Sequence, residues 1–435
     1  MKGMHSNKWA SGALLAIFIW SMLSGCSGGG TAATGPQDGS SSGGHTPALS
    51  GTIKMMTNRI DLIENGTFDR YAQEFKQRYP DANVEFEGLP NYASDILVRL
   101  STRDAGDVLL IPINLSGREL EQFFEPLDES VTAGERFSEF ASYQGRRYGL
   151  TTGTATVGII YNKKAFQTAG ITKVPVTLDE FYAACAKLKA AGITPVYLNY
   201  GAVWPLREWG NSLVIDMSGN PDYVNDMVHM DEPWRMDNEW GRSLTIARTL
   251  VARGYVEEKL FTNSWEVSKT KLARGEAGMY LMGSWAIPQI IGAGASAEDI
   301  GFFPFPYDNS PVHNAPLNPD WQAGVSKYSS NKELAKAWLD FFVNESSYQA
   351  EWGLLPDSPE TGMPQYSEFL SYKPKLLEAT VQSDAFIELA NKAELSFGSG
   401  EYLQELIAAK DLNKAFGELN AKWKEARAEL RSGAE

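Results

Sequence analysis

Hydrophobic and polar positions along the chain alternate between two patterns. Short β-prone runs at 51–57, 107–113 and 156–161 are typical of strands, and the continuous apolar character of the second indicates cover on both faces. Between such runs, apolar residues recur at helical spacing, as in 68–75. Strands that alternate with helices of this length predict α/β lobes with largely parallel sheets.

Two segments carry the sequence signature of a helix start. Thr177 and Glu180 have the spacing of a capping box, in which each side chain satisfies a free backbone N–H of the first turn. Cys185 lies on the apolar face of this helix, so we expect a buried, inert thiol. Ser330–Glu333 repeats the capping pattern, and Trp338 follows on an apolar stripe, where packing is its expected role.

Length and charge limit the classes of function. With 435 residues and 43% hydrophobic content, the chain is too long for one simple core, which predicts two lobes or domains. The net charge is −15, from 54 acidic and 39 basic side chains. This excess of negative charge disfavours nucleic acid and an anionic membrane surface as partners.

The N-terminus has the features of an export signal. A basic start precedes an apolar core at 14–20 that is too short to span a bilayer, so residues 1–25 are predicted to be a signal peptide. Leu23–Cys26 resembles the lipobox of bacterial lipoproteins. That resemblance implies cleavage before Cys26 and a diacylglycerol on its thiol. The alternative is an ordinary signal peptide with an incidental cysteine.

Residues 26–50 consist mainly of Gly, Ser, Thr and Pro. Such a segment cannot bury enough apolar surface to offset its ordering entropy, so we predict a flexible linker. Its r.m.s. reach is about 25–30 Å. The alternative is an unstructured N-terminal segment with no role. Once Cys26 is lipidated, Cys185 is the one thiol left, which excludes an intramolecular disulfide.

Sequence motifs for catalysis are scarce. His229 and His313 lie in no zinc-binding pattern, and the chain has neither a Walker A sequence nor a Gly-x-Ser-x-Gly elbow. Residues 292–297 loosely match the dinucleotide fingerprint but follow a helix-like segment. Carboxylate pairs of the glycosidase kind meet only in space and stay open. The scarcity of these motifs disfavours an enzyme, so we assign no catalytic residue and expect neither a metal site nor a cofactor.

Several of the twelve tryptophans lie beside turn residues and polar groups instead of on apolar stripes, namely Trp204, Trp285 and Trp321. An indole in a cleft offers a flat apolar platform and one N–H donor. The apolar C–H face of a pyranose ring can stack on such a platform, while Asp, Asn or Arg bind its hydroxyl rim. The alternative is that each tryptophan simply packs in a core.

Three motifs carry a resemblance to a known family. The first combines 148–150 with 157–166, the second is Leu272–Trp285, and the third combines 325–327 with 331–338. In their order and spacing they resemble the extracellular solute-binding proteins of ABC importers, in the sugar-binding group that includes the maltose-binding protein. The resemblance covers nearly everything after residue 50.

This resemblance implies the type II periplasmic-binding-protein-like fold. Two α/β lobes, with mainly parallel sheets flanked by helices, would hold the ligand in the cleft between them and close by hinge bending. Strands are expected to cross between lobes at Tyr161–Lys163, at 322–326 and within 345–380. The implied approximate limits are 51–158 with 323–375 for the first lobe, and 159–322 with 376–435 for the second.

The resemblance also implies ligand contacts. Trp285 matches the stacking tryptophan of a Gly-x-Trp motif, and Trp204 begins a Trp-Pro-Leu segment like one near the maltose cleft. Asn114 and residues 152–156 stand where acids are found in the family or in the maltose-binding protein, which argues against maltose itself. The predicted contacts are Trp285, Trp204, Asn58, Arg59, Asn114, Tyr200, Thr152, Asp320, Trp321 and Tyr92.

Together these features predict a lipid-anchored receptor on the extracellular face of the cell membrane. It would capture a sugar and deliver it to the permease subunits of an ABC transporter. The spread of tryptophans favours an oligosaccharide, the anchor favours a Gram-positive envelope, and we expect a monomer. Two alternatives remain open: a secreted glycan-active enzyme, and a sensor subunit of the same fold that signals to a membrane kinase.

Overall fold

The computed structural model of the protein describes residues 49–113, 115–128, 136–355 and 363–432. The predicted signal peptide, Cys26, nearly all of the predicted linker and Asn114 lie outside the described residues. Among the described helices, none has the length and apolar character needed to cross a membrane.

The strands alternate with helices along the chain, as the hydrophobic pattern predicts. The strands are β1 (Gly51–Thr57), β2 (Ala82–Gly88), β3 (Val108–Leu110), β4 (Ser142–Tyr143), β5 (Arg146–Arg147), β6 (Leu150–Thr151), β7 (Thr154–Asn162), β8 (Thr194–Val196), β9 (Ala277–Gly283), β10 (Ile300–Phe303), β11 (Asn314–Pro319), β12 (Gln322–Val325) and β13 (Lys375–Glu378). The helices are α1 (Ile60–Glu64), α2 (Thr67–Arg78), α3 (Tyr92–Thr102), α4 (Gly117–Phe123), α5 (Lys163–Thr168), α6 (Leu178–Ala190), α7 (Asn211–Ser218), α8 (Tyr223–Asp226), α9 (Glu239–Ala252), α10 (Trp265–Ala273), α11 (Ala286–Gly292), α12 (Lys332–Asp340), α13 (Tyr348–Glu351), α14 (Pro364–Ser371), α15 (Asp384–Lys392), α16 (Glu401–Ala408) and α17 (Leu412–Ser432).

Two sheets define two lobes, which confirms the two-lobed α/β architecture. The first sheet has the strand order β2–β1–β3–β12–β6, and the second has the order β13–β11–β7–β9–β8, with β10 paired to β7. Both sheets are mixed, where mainly parallel sheets were predicted. β12 is antiparallel to β3 and β6, and β7 is antiparallel to its three neighbours. Two parallel neighbouring strands need a long crossover connection. β12 instead follows β11 directly, so it enters the first sheet from the other lobe and runs antiparallel to its neighbours there.

The predicted helix starts have different outcomes. Thr177 and Glu180 form the expected capping box of α6, and Cys185 is fully buried in this helix, where burial raises the pKa of its thiol. The second predicted box is absent, because Asn331 and not Ser330 precedes α12 and makes no side-chain cap. The Asn331 amide donates instead to the Ser50 carbonyl at 2.8 Å.

The chain crosses between the lobes at short links, two of which join consecutive strands. Residues 152–153 join β6 to β7, and residues 320–321 join β11 to β12. The predicted first crossing at Tyr161–Lys163 is therefore wrong, because this segment lies at the far end of β7 within the second lobe. There Asn162 caps α5 by accepting from the Ala165 N–H at 2.9 Å. The predicted second crossing at 322–326 begins two residues late, since residues 322–325 already form β12.

The third passage between lobes falls within the predicted range of 345–380. Leu355 donates its backbone N–H to the Thr154 carbonyl at 2.6 Å as the chain leaves the first lobe. α14 then packs on β10, with the Phe369 ring stacked on Phe302 at 4.6 Å. This helix thus packs with the second lobe and not with the first, where the sequence placed it. β7 likewise begins at Thr154, before the predicted limit at 158.

Candidate ligand site between the lobes

Three tryptophans of the second lobe form one mutually contacting group. The ring centroids of Trp204 and Trp265 are 5.1 Å apart, those of Trp204 and Trp285 5.8 Å, and those of Trp265 and Trp285 5.6 Å. All three side chains are partly exposed, in contrast to the fully buried Trp338. We call Trp204, Trp265 and Trp285 the tryptophan wall.

Local structure places each member of the wall at the start of a helix. Trp204 begins a 3₁₀ helix, Trp265 is the first residue of α10, and Trp285 follows β9 and precedes α11. Sequence reasoning missed Trp265, although Ser264, whose hydroxyl accepts from Val267 N–H, is a recognisable N-cap in front of it.

Trp285 lies where the two lobes meet. It packs against the core of the second lobe and also against the core of the first. Gly283 makes this position possible, because a Cβ at residue 283 would overlap the Trp285 indole. Additional contacts join the lobes, since the Gly117 N–H donates to Asp384 at 3.2 Å and Arg136 pairs with Glu378 at 3.2 Å.

A second aromatic pair belongs to the first lobe and its link. The rings of Tyr92 and Trp321 contact edge to face at 5.6 Å. Tyr92 is buried, and its hydroxyl donates to the Leu110 carbonyl at 3.0 Å and accepts from the Leu110 N–H at 2.8 Å. The Tyr92 hydroxyl thus both donates and accepts within the protein and is not available to a ligand. Tyr92 packs against Trp321, which is the partly exposed ring of the two.

The guanidinium of Arg59, a predicted ligand contact, is already engaged by other groups of the protein. Its guanidinium donates to both carboxylate oxygens of Asp61 at 2.9 and 2.7 Å, and it stacks over the Trp352 ring at 4.5 Å. The Arg59 side chain is only 9% exposed. It therefore ties the end of β1 to the chain that leaves the first lobe, and Trp352, which sequence reasoning missed, is its packing partner.

Thr152 and Asp320 are the first residues of the two short links between the lobes, and the links are hydrogen-bonded to each other. The Thr152 N–H donates to the Trp321 carbonyl at 2.8 Å, and the Trp321 N–H donates back to the Thr152 hydroxyl at 3.2 Å. Burial raises the pKa of the Asp320 carboxyl to about 6, while Arg59 and the Thr152 hydroxyl oppose this shift. Thr152 is 1% exposed, so its position suits a hinge and not a ligand contact.

The other predicted contacts differ in their availability to a ligand. Tyr200 lies in the core of the second lobe, with its hydroxyl donating to the Gln404 carbonyl at 2.8 Å, so it is not available to a ligand. Asn58 is partly exposed after β1, and its amide has no hydrogen-bond partner among the described residues. Asn114 lies outside them. Among the residues that the structure describes, no three His, Cys, Asp or Glu side chains converge to hold a metal.

Comparison with known proteins identifies the class of this molecule. The family model of the bacterial extracellular solute-binding proteins matches residues 61–349, and the chain belongs to this family. Its members are binding proteins and not enzymes, in agreement with the prediction from sequence. The family match spans most of the first lobe and much of the second, including all three members of the tryptophan wall.

Individual relatives are similar over most or part of the chain. An ABC transporter extracellular-binding protein of Pyrococcus horikoshii is 22% identical over 95% of this chain and 96% of its own. A multiple sugar-binding protein of Streptococcus mutans is 24% identical over 59% of this chain and 62% of its own. The solved structure of a manno-oligosaccharide-specific solute-binding protein from Bifidobacterium animalis subsp. lactis, in complex with mannotriose, is 27% identical. It covers 88% of this chain and 95% of its own, with a TM-score of 0.79.

Proposed function

We propose that this protein captures an oligosaccharide between its lobes and delivers it to an ABC importer. The observation that carries the proposal is the tryptophan wall, which combines three mutually contacting, partly exposed indoles, one of which, Trp285, also packs against the first lobe. Indole faces suit the apolar C–H faces of pyranose rings, and their N–H groups suit hydroxyl acceptors. Membership in the solute-binding family supplies the context for such a surface.

The mechanism we propose is a population shift driven by contacts with both lobes. The wall belongs to the second lobe, whereas Asn58 and Trp321 belong to the first lobe and its link. A ligand that touches both sides can do so only when the lobes are closed, so it binds the closed state more tightly. The short crossings at 152–153 and 320–321 would allow this closure as hinges.

A calorimetric panel of purified oligosaccharides tests the proposal. We expect binding to manno-oligosaccharides first, because the similar solved structure holds mannotriose. Maltotriose serves as the comparison ligand, since this chain lacks the acids that the maltose resemblance would require. If the folded protein bound no oligosaccharide in the panel, a carbohydrate role would be excluded. Loss of uptake of the bound sugar in a deletion strain would separate transport from sensing.

We also propose a lipid anchor at Cys26 on the extracellular face of a Gram-positive membrane, with 27–50 as a spacer and a monomeric receptor beyond it. A spacer of this kind keeps the binding lobes near the permease and raises their effective concentration there. Cys26→Ser should abolish incorporation of a labelled fatty acid and release the protein into the medium. Cys185→Ser is the matched control, because this buried thiol cannot carry the lipid. Retained labelling in Cys26→Ser would refute the anchor.

A further inference from the structure

We infer that Lys269 is a positioning residue, which fixes the distance between Trp265 and Trp285 in the tryptophan wall. The inference rests on the proposed function, because it concerns how the wall binds its ligand. Lys269 lies one helical turn after Trp265 on α10, and Gln289 lies one turn after Trp285 on α11. The Lys269 ammonium donates to the Gln289 side-chain oxygen at 3.1 Å. This bond joins the two helices directly beneath their tryptophans.

The ammonium also contacts Trp265 itself. Lys269 Nζ is 5.3 Å from the centroid of the Trp265 ring, within the range of a cation–π interaction. Its remaining partner is Glu266, at 2.9 Å. The Lys269 side chain is only 6% exposed, whereas that of Glu266 is 74% exposed. Because the Glu266 carboxylate is largely solvated, its attraction for the ammonium is screened, so this ion pair does not explain why a lysine is buried here.

Burial of this ammonium has a specific structural result. A buried charge is unfavourable unless it is paired and hydrogen-bonded, and an apolar side chain could fill the same volume without that cost. What the apolar side chain could not supply is the directional hydrogen bond that joins α10 to α11 through Gln289. The Trp265 ring also contacts Tyr280 at 5.6 Å, and the Ser268 hydroxyl donates to the backbone carbonyl of Trp265 at 2.6 Å. The wall is therefore pre-organised, which lowers the entropic cost of ligand binding.

Two substitutions at Lys269 distinguish the contribution of its ammonium group from that of the hydrocarbon part of its side chain. Lys269→Met keeps an unbranched apolar side chain and removes the ammonium, and it should weaken mannotriose binding about tenfold. Lys269→Arg keeps a cation that can reach Gln289, and it should restore most of the affinity. Lys271→Met is the matched control, because Lys271 lies on the same helix but is exposed and paired with Glu276. Its affinity should match that of the wild type.

The readouts distinguish a positioning role from a purely structural one. If Lys269→Met lowered the melting temperature but bound mannotriose like the wild type at 25 °C, the inference would be overturned. If that variant failed to fold, Gln289→Leu would test the same bond, with a loss of affinity expected and an unchanged affinity refuting it. A crystal structure of Lys269→Met without ligand should show the Trp265 indole displaced from Trp285. The crystal structure tests the position of the indole even if the wild type binds no sugar. Absence of sugar binding would refute the proposed function but not the positioning role of Lys269.

Discussion

The backbone N–H of Asp320 donates a hydrogen bond to the carbonyl of Gly153 at 2.8 Å. These two residues belong to different crossing strands, so this bond fastens one passage between the lobes to another. The third passage joins them through Leu355, whose N–H donates to the Thr154 carbonyl. Motion of one lobe relative to the other must therefore bend these passages together, which restricts the closure to a hinge in this narrow region.

Gly153 should be sensitive to substitution for reasons of space as well as backbone geometry. Its φ is +147°, and a Cβ there would lie 2.6 Å from Leu354 Cδ1. Gly170 also has a positive φ, of +65°, but nothing lies within 4 Å of its Cβ position. We expect Gly153→Ala to lower the free energy of unfolding by about 1–3 kcal/mol more than Gly170→Ala does. Urea denaturation of both variants measures this difference, and equal losses would rule out crowding at the hinge.

The Asp320 carboxyl should make stability depend on pH. Burial raises its pKa from 3.8 to about 6, so the folded state favours the protonated form. The stabilising contribution is complete below about pH 3.8 and is lost as pH rises through about 6. Asp320→Asn stays neutral at every pH, so it should be more stable than the wild type at pH 7, by roughly 1–3 kcal/mol.

The test compares the two proteins by urea denaturation at pH 4, 5.5 and 7. Groups that titrate equally in both proteins cancel in the difference, which should shrink to near zero at pH 4. A variant that became relatively more stable as pH fell would contradict the assigned direction of the shift. The Arg59 charge opposes protonation of Asp320, so replacing Arg59 by Met should raise the pKa of Asp320 further.

Much of the fold follows from local sequence, because strand runs and caps act over a few residues. β1, β7 and the Thr177 cap were predictable in this way. The crossing at 152–153 was not, because β6 and β7 are separated by only two residues and both are buried. An apolar run of this kind indicates a strand but not the sheet to which each part belongs.

The site was predictable to a smaller extent, because it depends on contacts between distant parts of the chain. Trp204 and Trp285 stand out beside turn residues, whereas the N-cap before Trp265 predicts a helix start but not the contacts of this ring with the other two. Arg59 appeared suited to a ligand because it follows a strand end. In the structure, the carboxylate two residues later pairs with its guanidinium. The sequence cannot distinguish an arginine that binds a ligand from one that pairs with a neighbouring carboxylate.

Trp285→Ala should remove the member of the wall that reaches both lobes. We expect the affinity for mannotriose to fall by about 2–3 kcal/mol, as for a buried aromatic hot spot. Tyr328→Ala is the control, because Tyr328 is an aromatic residue that is 39% exposed and follows the far end of β12. Calorimetry should find its affinity unchanged. An equal effect of the two substitutions would mean that the wall is not the binding surface.

Gly283→Ala should weaken binding without removing any member of the wall. The added Cβ would overlap the Trp285 indole, so the ring must leave its position against the first lobe. Because β9 is fully buried around this glycine, we also expect the free energy of unfolding to fall by about 1–3 kcal/mol. Gly292→Ala is the matched control, since its Cβ would meet nothing within 4 Å at the end of α11. Calorimetry at a temperature where both variants are folded should show a lower affinity for Gly283→Ala alone. Wild-type affinity in that variant would show that binding tolerates a displaced Trp285.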